Sequence, residues 1–444
     1  MNADCSGKHG RRQLREGLKA AGQFDEFQVA GRLFPVACVA LEITQRCNLD
    51  CTLCYLSENA EQAYDVPLVV LFQRIAMVHR RYGPGATIQI TGGDPTLRKV
   101  EDIEALCQEI RRLNMRSCLM TNGIRANRPF LARLAQAGLN DVAFHVDLTQ
   151  ERVGFESESA LNAVRKDYIG RARNLGLRIL FNTTVYPGNL AEVPALCQFF
   201  RSQARYVSLV SFQMQADTGR GAADKRDIAL TQDVLSDHIS AGFNVDFPSK
   251  MGIGHSECSR YDHLAISGDR AVSFLANKAL LKRVISTLEH VDTSGRVVAD
   301  LPDMIRKAPL CDPIMVLRFA TELLKMIWRL RSGLWAGRGR VSRMSVVLHS
   351  LMDAKALVTE RCEACVFMVA TSTGPVSMCE FNAERDAHLF KPVSLNADGK
   401  ETWWSAATGQ MTDTPYYGLP PSPKFKQMKG RERAAEMRRR GKPI

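Results

Sequence analysis

Between residues 36 and 215, six short β-rich runs alternate with amphipathic helical stretches. The runs span Val36–Thr44, Ala86–Thr91, Arg116–Thr121, Asp141–Val146, Leu177–Val185 and Tyr206–Met214. Between them, stretches such as VEDIEALCQEIRRLN and RPFLARLAQAGL repeat their apolar residues every three or four positions, the period of a helix with one buried face. Strand alternating with helix at this spacing predicts repeated βαβ units around a parallel sheet. Six such units suit a full or partial barrel better than a sandwich. At 45% apolar and 24% charged residues, the 444-residue chain has material for a large core, which excludes wholesale disorder and fibrous repeats.

In such sheets the functional site gathers where the loops leave the carboxyl ends of the strands. The segments to inspect are therefore QRCNLDCTLCY after the first run, GGDPT after the second, NG after the third and TGRG after the sixth. Beyond residue 250 the alternation fades into helical sequence and a cysteine-bearing segment, 361–382. The expected organisation is an N-terminal extension over 1–35, a core over 36–250, a smaller second domain over 251–390 and a basic, weakly ordered tail over 391–444. The polar N-terminus and the low cysteine content favour a reducing cytoplasm, where clustered cysteines bind metal or do redox chemistry. No window reaches the apolar length of a spanning helix. The formal charge of +12 is concentrated: Met304–Arg343 and Lys424–Lys442 each hold nine Arg or Lys against two acidic residues. Pro313–Leu334 mixes Leu, Met, Phe and Trp with spaced Arg and Lys, as a helix lying on anionic lipid would, or one packing a single face on the core.

Cys47, Cys51 and Cys54 form C-x3-C-x2-C just past the first run. A structural zinc site normally needs four ligands in paired half-sites, and no fourth cysteine or histidine lies nearby in sequence. Three thiolates on a 4Fe–4S cluster would leave one iron open to chelate the amino and carboxylate groups of a small molecule, which is a catalytic arrangement.

With C47-NLD-C51-TL-C54-Y, G92-G93-D94-P95-T96 and six βα units, the chain resembles the radical S-adenosylmethionine (SAM) superfamily. The resemblance implies an α/β fold, a partial (β/α)6 radical SAM barrel with a smaller C-terminal auxiliary iron–sulfur domain. It implies a 4Fe–4S cluster on Cys47, Cys51 and Cys54, SAM as cofactor, a reducing electron donor as partner, and cofactor contacts from Gly92, Gly93, Asp94 and Asn182. Leu53 stands where the family is often aromatic, and Asp94 where Glu is commoner. His145, Asp147, Thr183 and Thr184 also close strands facing the expected site, either as site residues or as local hydrogen-bonding groups. Arg220 suits either an anion clamp or a solvated loop. No residue is assigned a catalytic role.

Cys362, Cys365 and Cys379, with Cys258 and Cys311 upstream, favour an auxiliary 4Fe–4S cluster over a zinc knuckle or redox pair. Cys38, Cys107, Cys118 and Cys197 read most simply as core thiols. The segments E360-R361-C362-E363-A364-C365 and G374-P375-V376-S377-M378-C379, with H255-S256-E257-C258, are similar to the radical SAM family of archaeal tetraether lipid synthase and pterin C-methylating proteins. Ile253 replaces a cysteine common there. This resemblance implies radical functionalisation of an unactivated carbon, with a lipid or acyl chain preferred as substrate and carbon–carbon bond formation as outcome, a pterin-like heterocycle undergoing C-methylation being the alternative. Peripheral contact with the inner membrane surface follows from the basic helix. A non-catalytic iron–sulfur or zinc module binding nucleic acid is the reading from another class; no aromatic-interleaved basic groove supports it.

Overall fold

The computed structural model describes residues 8–219, 230–247, 251–274, 276–289, 313–397 and 400–419. Cys311, Arg220 and the basic segment Lys424–Lys442 fall outside them. Six strands pair side by side, all parallel and in chain order: β1 (Cys38–Thr44), β2 (Thr87–Gly92), β3 (Arg116–Thr121), β4 (Asp141–His145), β5 (Arg178–Val185) and β6 (Val207–Met214). They coincide with the six β-rich runs to within two residues. Helices return the chain between them, one of them clearly bounded by its own sequence. Asn127 caps Arg128–Ala137 by accepting from the Phe130 amide, and Gly138 ends it in the left-handed region at φ +109°.

Side-chain alternation along the strands divides the molecule into an outer core and an inner chamber. Val39, Leu41, Ile88, Ile90, Phe144 and Phe212 face outward and pack, wholly buried, against helix residues such as Leu71, Ile75, Leu106 and Leu134. The alternate positions, among them Cys38, Gln89, Cys118, Leu180 and Ser211, line an interior cavity of about 420 Å³. Cys38 and Cys118 thus face the chamber, whereas Cys107 and Cys197 are helix residues in the apolar core.

The edges of this six-stranded unit would leave β1 and β6 with unpaired backbone groups. Residues beyond 250 supply the partners: β7 (Ser259–Ser267), β8 (Arg270–Ser273), β9 (Ser342–Ser350), β10 (Phe367–Thr371) and β11 (Gly374–Ser377). Strand β9 lies parallel to β6 and carries β7 and β8 antiparallel; β10 lies parallel to β1 and carries β11 antiparallel. The result is one eleven-stranded sheet, so the expected boundary near residue 250 runs across continuous hydrogen bonding. The sheet curls until its two sides meet, with the rings of His349 on β9 and Phe367 on β10 edge to face at 4.3 Å.

The expectation of a weakly ordered tail from 391 is corrected over its first part. Strands β12 (Val393–Ala397), β13 (Lys400–Trp404) and β14 (Met411–Thr412) form an antiparallel sheet whose Val393, Leu395 and Trp404 join the main core. The N-terminal helix Lys8–Ala20 buries Leu14 and Leu18 against Ile253, Ile285 and Val366. The long helix Pro313–Ala336 covers β7 and β8 through Leu330, Met326 and Leu334, with Gly333 so close that a Cβ there would meet the Ser267 carbonyl at 2.0 Å. Its other side exposes Leu317, Leu324, Trp328 and Trp335. Among the described residues, no helix is long and apolar enough to cross a membrane.

Candidate active site

The loop after β1 is tied to the ends of three neighbouring strands, and this holds its cysteines in place. The Thr52 amide donates to the Thr149 carbonyl at 2.8 Å and the Thr52 hydroxyl to the Glu151 carboxylate, both past β4. Asn122, past β3, donates through Nδ2 to Asn48 Oδ1 at 2.7 Å and reaches the Cys47 sulfur at 3.9 Å. Tyr55 donates its hydroxyl to the Gly92 carbonyl at the end of β2. Cys47, Cys51 and Cys54 are each partly exposed on this anchored loop. Burial, then the neighbouring thiols of Cys54 and Cys47 and the carboxylates of Asp147 and Asp50, push Cys51 well above the usual thiol range. A thiol whose ionisation its two neighbouring thiols oppose belongs to a donor set that a cationic partner would relieve. Among the described residues, no three His, Cys, Asp or Glu side chains close on one point as ligands of a single ion do. A cubane, whose thiolates bind different irons, does not require that, so the trio fits a 4Fe–4S cluster.

The glycine pair lies against this loop. A Cβ on Gly92, at φ +132°, would stand 1.9 Å from the Thr44 carbonyl oxygen, and one on Gly93 2.2 Å from that of Arg46. The amides of Gly93 and Asp94 donate to those same two carbonyls at 2.9 and 2.8 Å. The missing side chains are thus used by the protein's own backbone, joining β2 to the start of the cysteine loop. The carboxylate of Asp94, expected at the cofactor, is engaged by the protein itself. It has no exposed surface, and its carboxylate accepts from the Thr96 and Asn122 amides at 2.9 and 2.8 Å and from the hydroxyls of Thr96 and Thr121. With its oxygens so engaged, Asp94 orders the loops after β2 and β3.

At the end of β4, His145 Nε2 lies 2.6 Å from Asp147 Oδ2. Asp147 also accepts from the Thr149 and Thr184 amides, at 3.0 and 2.7 Å. Burial opposes its ionisation, but His145 and these donors prevail and hold the carboxyl down at about 2. Asn182 on β5 hydrogen-bonds His145 Nδ1 at 3.2 Å and Gln213 at 3.5 Å, and both amide side chains line the chamber. Both ring nitrogens of His145 thus have protein partners, and Asn182 links it to the cavity.

The second cysteine set forms at the seam where β9 meets β10. Cys258 precedes β7, Cys362 and Cys365 precede β10, and Cys379 begins the helix Met378–Ala383 after β11. Burial, then Cys379 and more weakly Cys258, push the Cys365 thiol up; burial with Cys258 and Cys362 pushes Cys379 up to about 11. Hydrogen bonds already point at these sulfurs, from Arg361 Nε to Cys258 and from the Met352 amide to Cys379, each at 3.4 Å. Four thiols in mutual electrostatic reach, with donors for their charged forms, fit an auxiliary 4Fe–4S cluster. Cys311, the fifth candidate, lies outside the described residues. Asn122, Tyr55, Thr52 and Glu151 carry the anchoring; three of them lie in segments singled out in the sequence, but their anchoring was not legible there, because their partners are 37 to 99 residues away.

Residues 41–200 match the model of the Radical SAM superfamily. The 7,8-dihydro-6-hydroxymethylpterin dimethyltransferase of Methanocaldococcus jannaschii is 25% identical over 268 residues, 59% of this chain and 51% of the relative. The GTP 3',8-cyclase of Campylobacter curvus is 27% identical over 229 residues, 50% of this chain and 68% of the relative. The chain thus spans about half the length of the first of these. Among solved structures, Streptococcus suis SuiB bound to its precursor peptide SuiA superposes with a TM-score of 0.38 at 15% identity, over 52% of this chain and 50% of that one.

Proposed function

We propose, from the radical SAM superfamily domain that residues 41–200 form, that this chain is a radical SAM enzyme that functionalises a carbon of a small molecule held in the barrel chamber. The observation that carries this reading is the anchored Cys47, Cys51, Cys54 loop at the carboxyl ends of the parallel strands, directly against the Gly92–Gly93 turn. When bound, a 4Fe–4S cluster with SAM supplies the electron that splits a carbon–sulfur bond of SAM and a carbon radical able to take hydrogen from an unactivated carbon. The protein's part is placement. Asn122 donates toward Cys47, and Tyr55, Thr52 and Asn48 fix the loop, while the Gly93 backbone and Asn182 on β5 would supply the SAM contacts. Cys258, Cys362, Cys365 and Cys379 would hold an auxiliary cluster at the seam.

The chamber favours a heteroatom-bearing substrate over a plain acyl chain. Its volume of about 420 Å³ suits a small molecule, and Gln89, Asn182, Ser211 and Gln213 project polar groups along its wall. An alkyl chain would strip water from these groups without offering them a partner, at about 1–3 kcal/mol for each one left unpaired. The pterin dimethyltransferase relative supports the same preference and makes C-methylation of a pterin-like heterocycle the leading reaction. The acyl-chain reading, with carbon–carbon bond formation, rests on the long helix. Its exposed Ile314, Leu317, Leu324, Trp328 and Trp335 beside Arg318, Lys325, Arg329 and Arg331 suit an anionic bilayer surface, and with it peripheral membrane contact. Deuterium transfer separates the two. A perdeuterated reduced pterin should pass label into 5'-deoxyadenosine, while label arriving only from a deuterated acyl lipid would overturn the heterocycle.

A further inference from the structure

The chamber has a charged floor that the proposed chemistry does not use. At the amino ends of the strands it is lined by Arg116 on β3, Arg178 on β5 and Arg343 on β9. Among the described residues, one carboxylate faces them, Asp141 on β4. Arg116 donates to it at 2.9 Å, and Arg178 Nε stands at 3.6 Å. That carboxylate cannot balance both, and Arg343 adds a third guanidinium. Around them is a neutral hydrogen-bonding group. The Tyr261 hydroxyl lies 3.1 Å from both His263 Nε2 and Ser345 Oγ, and Ser345 Oγ lies 3.0 Å from His263 Nδ1. Burial, and then Arg343 and Arg178, hold His263 down at about 4, so the imidazole stays neutral and both guanidinium groups act on the same volume.

We infer that this floor is an anion subsite, in which Arg178 and Arg343 grip a phosphate or carboxylate group of the substrate beside the neutral, mutually hydrogen-bonded cluster of Tyr261, Ser345 and His263. The inference rests on the small-molecule reading and narrows the substrate class to acids. Planar, permanently charged guanidinium groups bind oxyanions bidentately, and an oxyanion restores the charge balance that Asp141 alone cannot. The site also sets a length. Arg178 retains 42% of its side-chain surface, and Asn182, four residues along the same strand, is 8% exposed. At the rise of a β-strand these positions are about 13 Å apart. The anchoring end of the chamber and its Asn182 end are thus separated by that backbone span, less the reach of the side chains at either end.

The test uses the full-length protein reconstituted with iron and sulfide, titrated calorimetrically with inorganic phosphate and, separately, with acetate. The wild type binds at least one of the two, and whichever binds identifies the acid. An Arg178→Gln/Arg343→Gln variant loses about tenfold or more in affinity per guanidinium, Arg178→Lys/Arg343→Lys recovers part of it, and Arg331→Gln on the outer helix leaves it unchanged. A wild type that binds neither anion, or a glutamine variant that binds as the wild type does, overturns the subsite. SAM cleavage by the wild type is read in the same samples. Anion binding through these arginines without cleavage defeats the proposed activity and leaves the subsite standing; cleavage without anion binding does the reverse.

Discussion

Asp94 shows how one buried carboxylate can order the loops around a site. Its two oxygens satisfy the amides of Thr96 and Asn122 and the hydroxyls of Thr96 and Thr121, and Asn122 in turn steers the loop of Cys47. Asp94→Ala leaves those donors buried without an acceptor and should cost about 3 kcal/mol, read from urea unfolding. Gly93→Ala acts on the same joint by another route. Its Cβ would stand 2.2 Å from the Arg46 carbonyl oxygen, so the cysteine loop must shift. The expected result is near-normal folding with reduced iron in the first cluster, measured by iron analysis and Mössbauer spectroscopy. The cysteines and glycines were legible in the sequence because their spacing itself states their chemistry. The role of Asp94 was not, because Thr121 and Asn122 lie 27 and 28 residues away and only the fold brings them to it.

At the scale of elements, the six parallel strands were legible because their outward faces carry the β-branched and aromatic residues that pack under helices. Strands β7 and β9 were not, because they alternate core residues with Tyr261, His263, Arg343 and Ser345, which face the chamber and blur the apolar pattern. His263 gives β7 a pH dependence. Burial and two guanidinium groups lower its pKa from 6.5 to about 4, so the unfolded chain takes up a proton before the folded one does. Stability should fall as pH drops through that window and be level above it; His263→Asn should flatten the slope of the urea midpoint. The long helix was legible in both its length and its mixed character. Trp328 and Trp335 keep 66% and 91% of their surface, so replacing both with Ala should weaken binding to phosphatidylglycerol vesicles by about tenfold in a flotation assay. Unchanged binding would remove the membrane role.

For the molecule as a whole, the curl of one sheet gives each cysteine set its place. The first lies on the loop above the carboxyl ends of the strands; the second forms only because β9 and β10 meet, bringing Cys258 to residues more than a hundred positions later. Fading alternation after residue 250 suggested a separate domain, since strand pairing across such separations leaves no local signature. Net charge misled in a similar way. The +12 is concentrated in two segments, yet one of them ends in Arg343, which β9 carries into the chamber to meet Arg116 and Arg178. The measurement that bears most directly on the whole account is 5'-deoxyadenosine formation after anaerobic reconstitution, reduction and addition of SAM. The wild type should form it, and Cys47→Ala/Cys51→Ala/Cys54→Ala should form none while keeping about four iron atoms at the seam. A wild type with a fully loaded first cluster that leaves SAM intact would contradict the account.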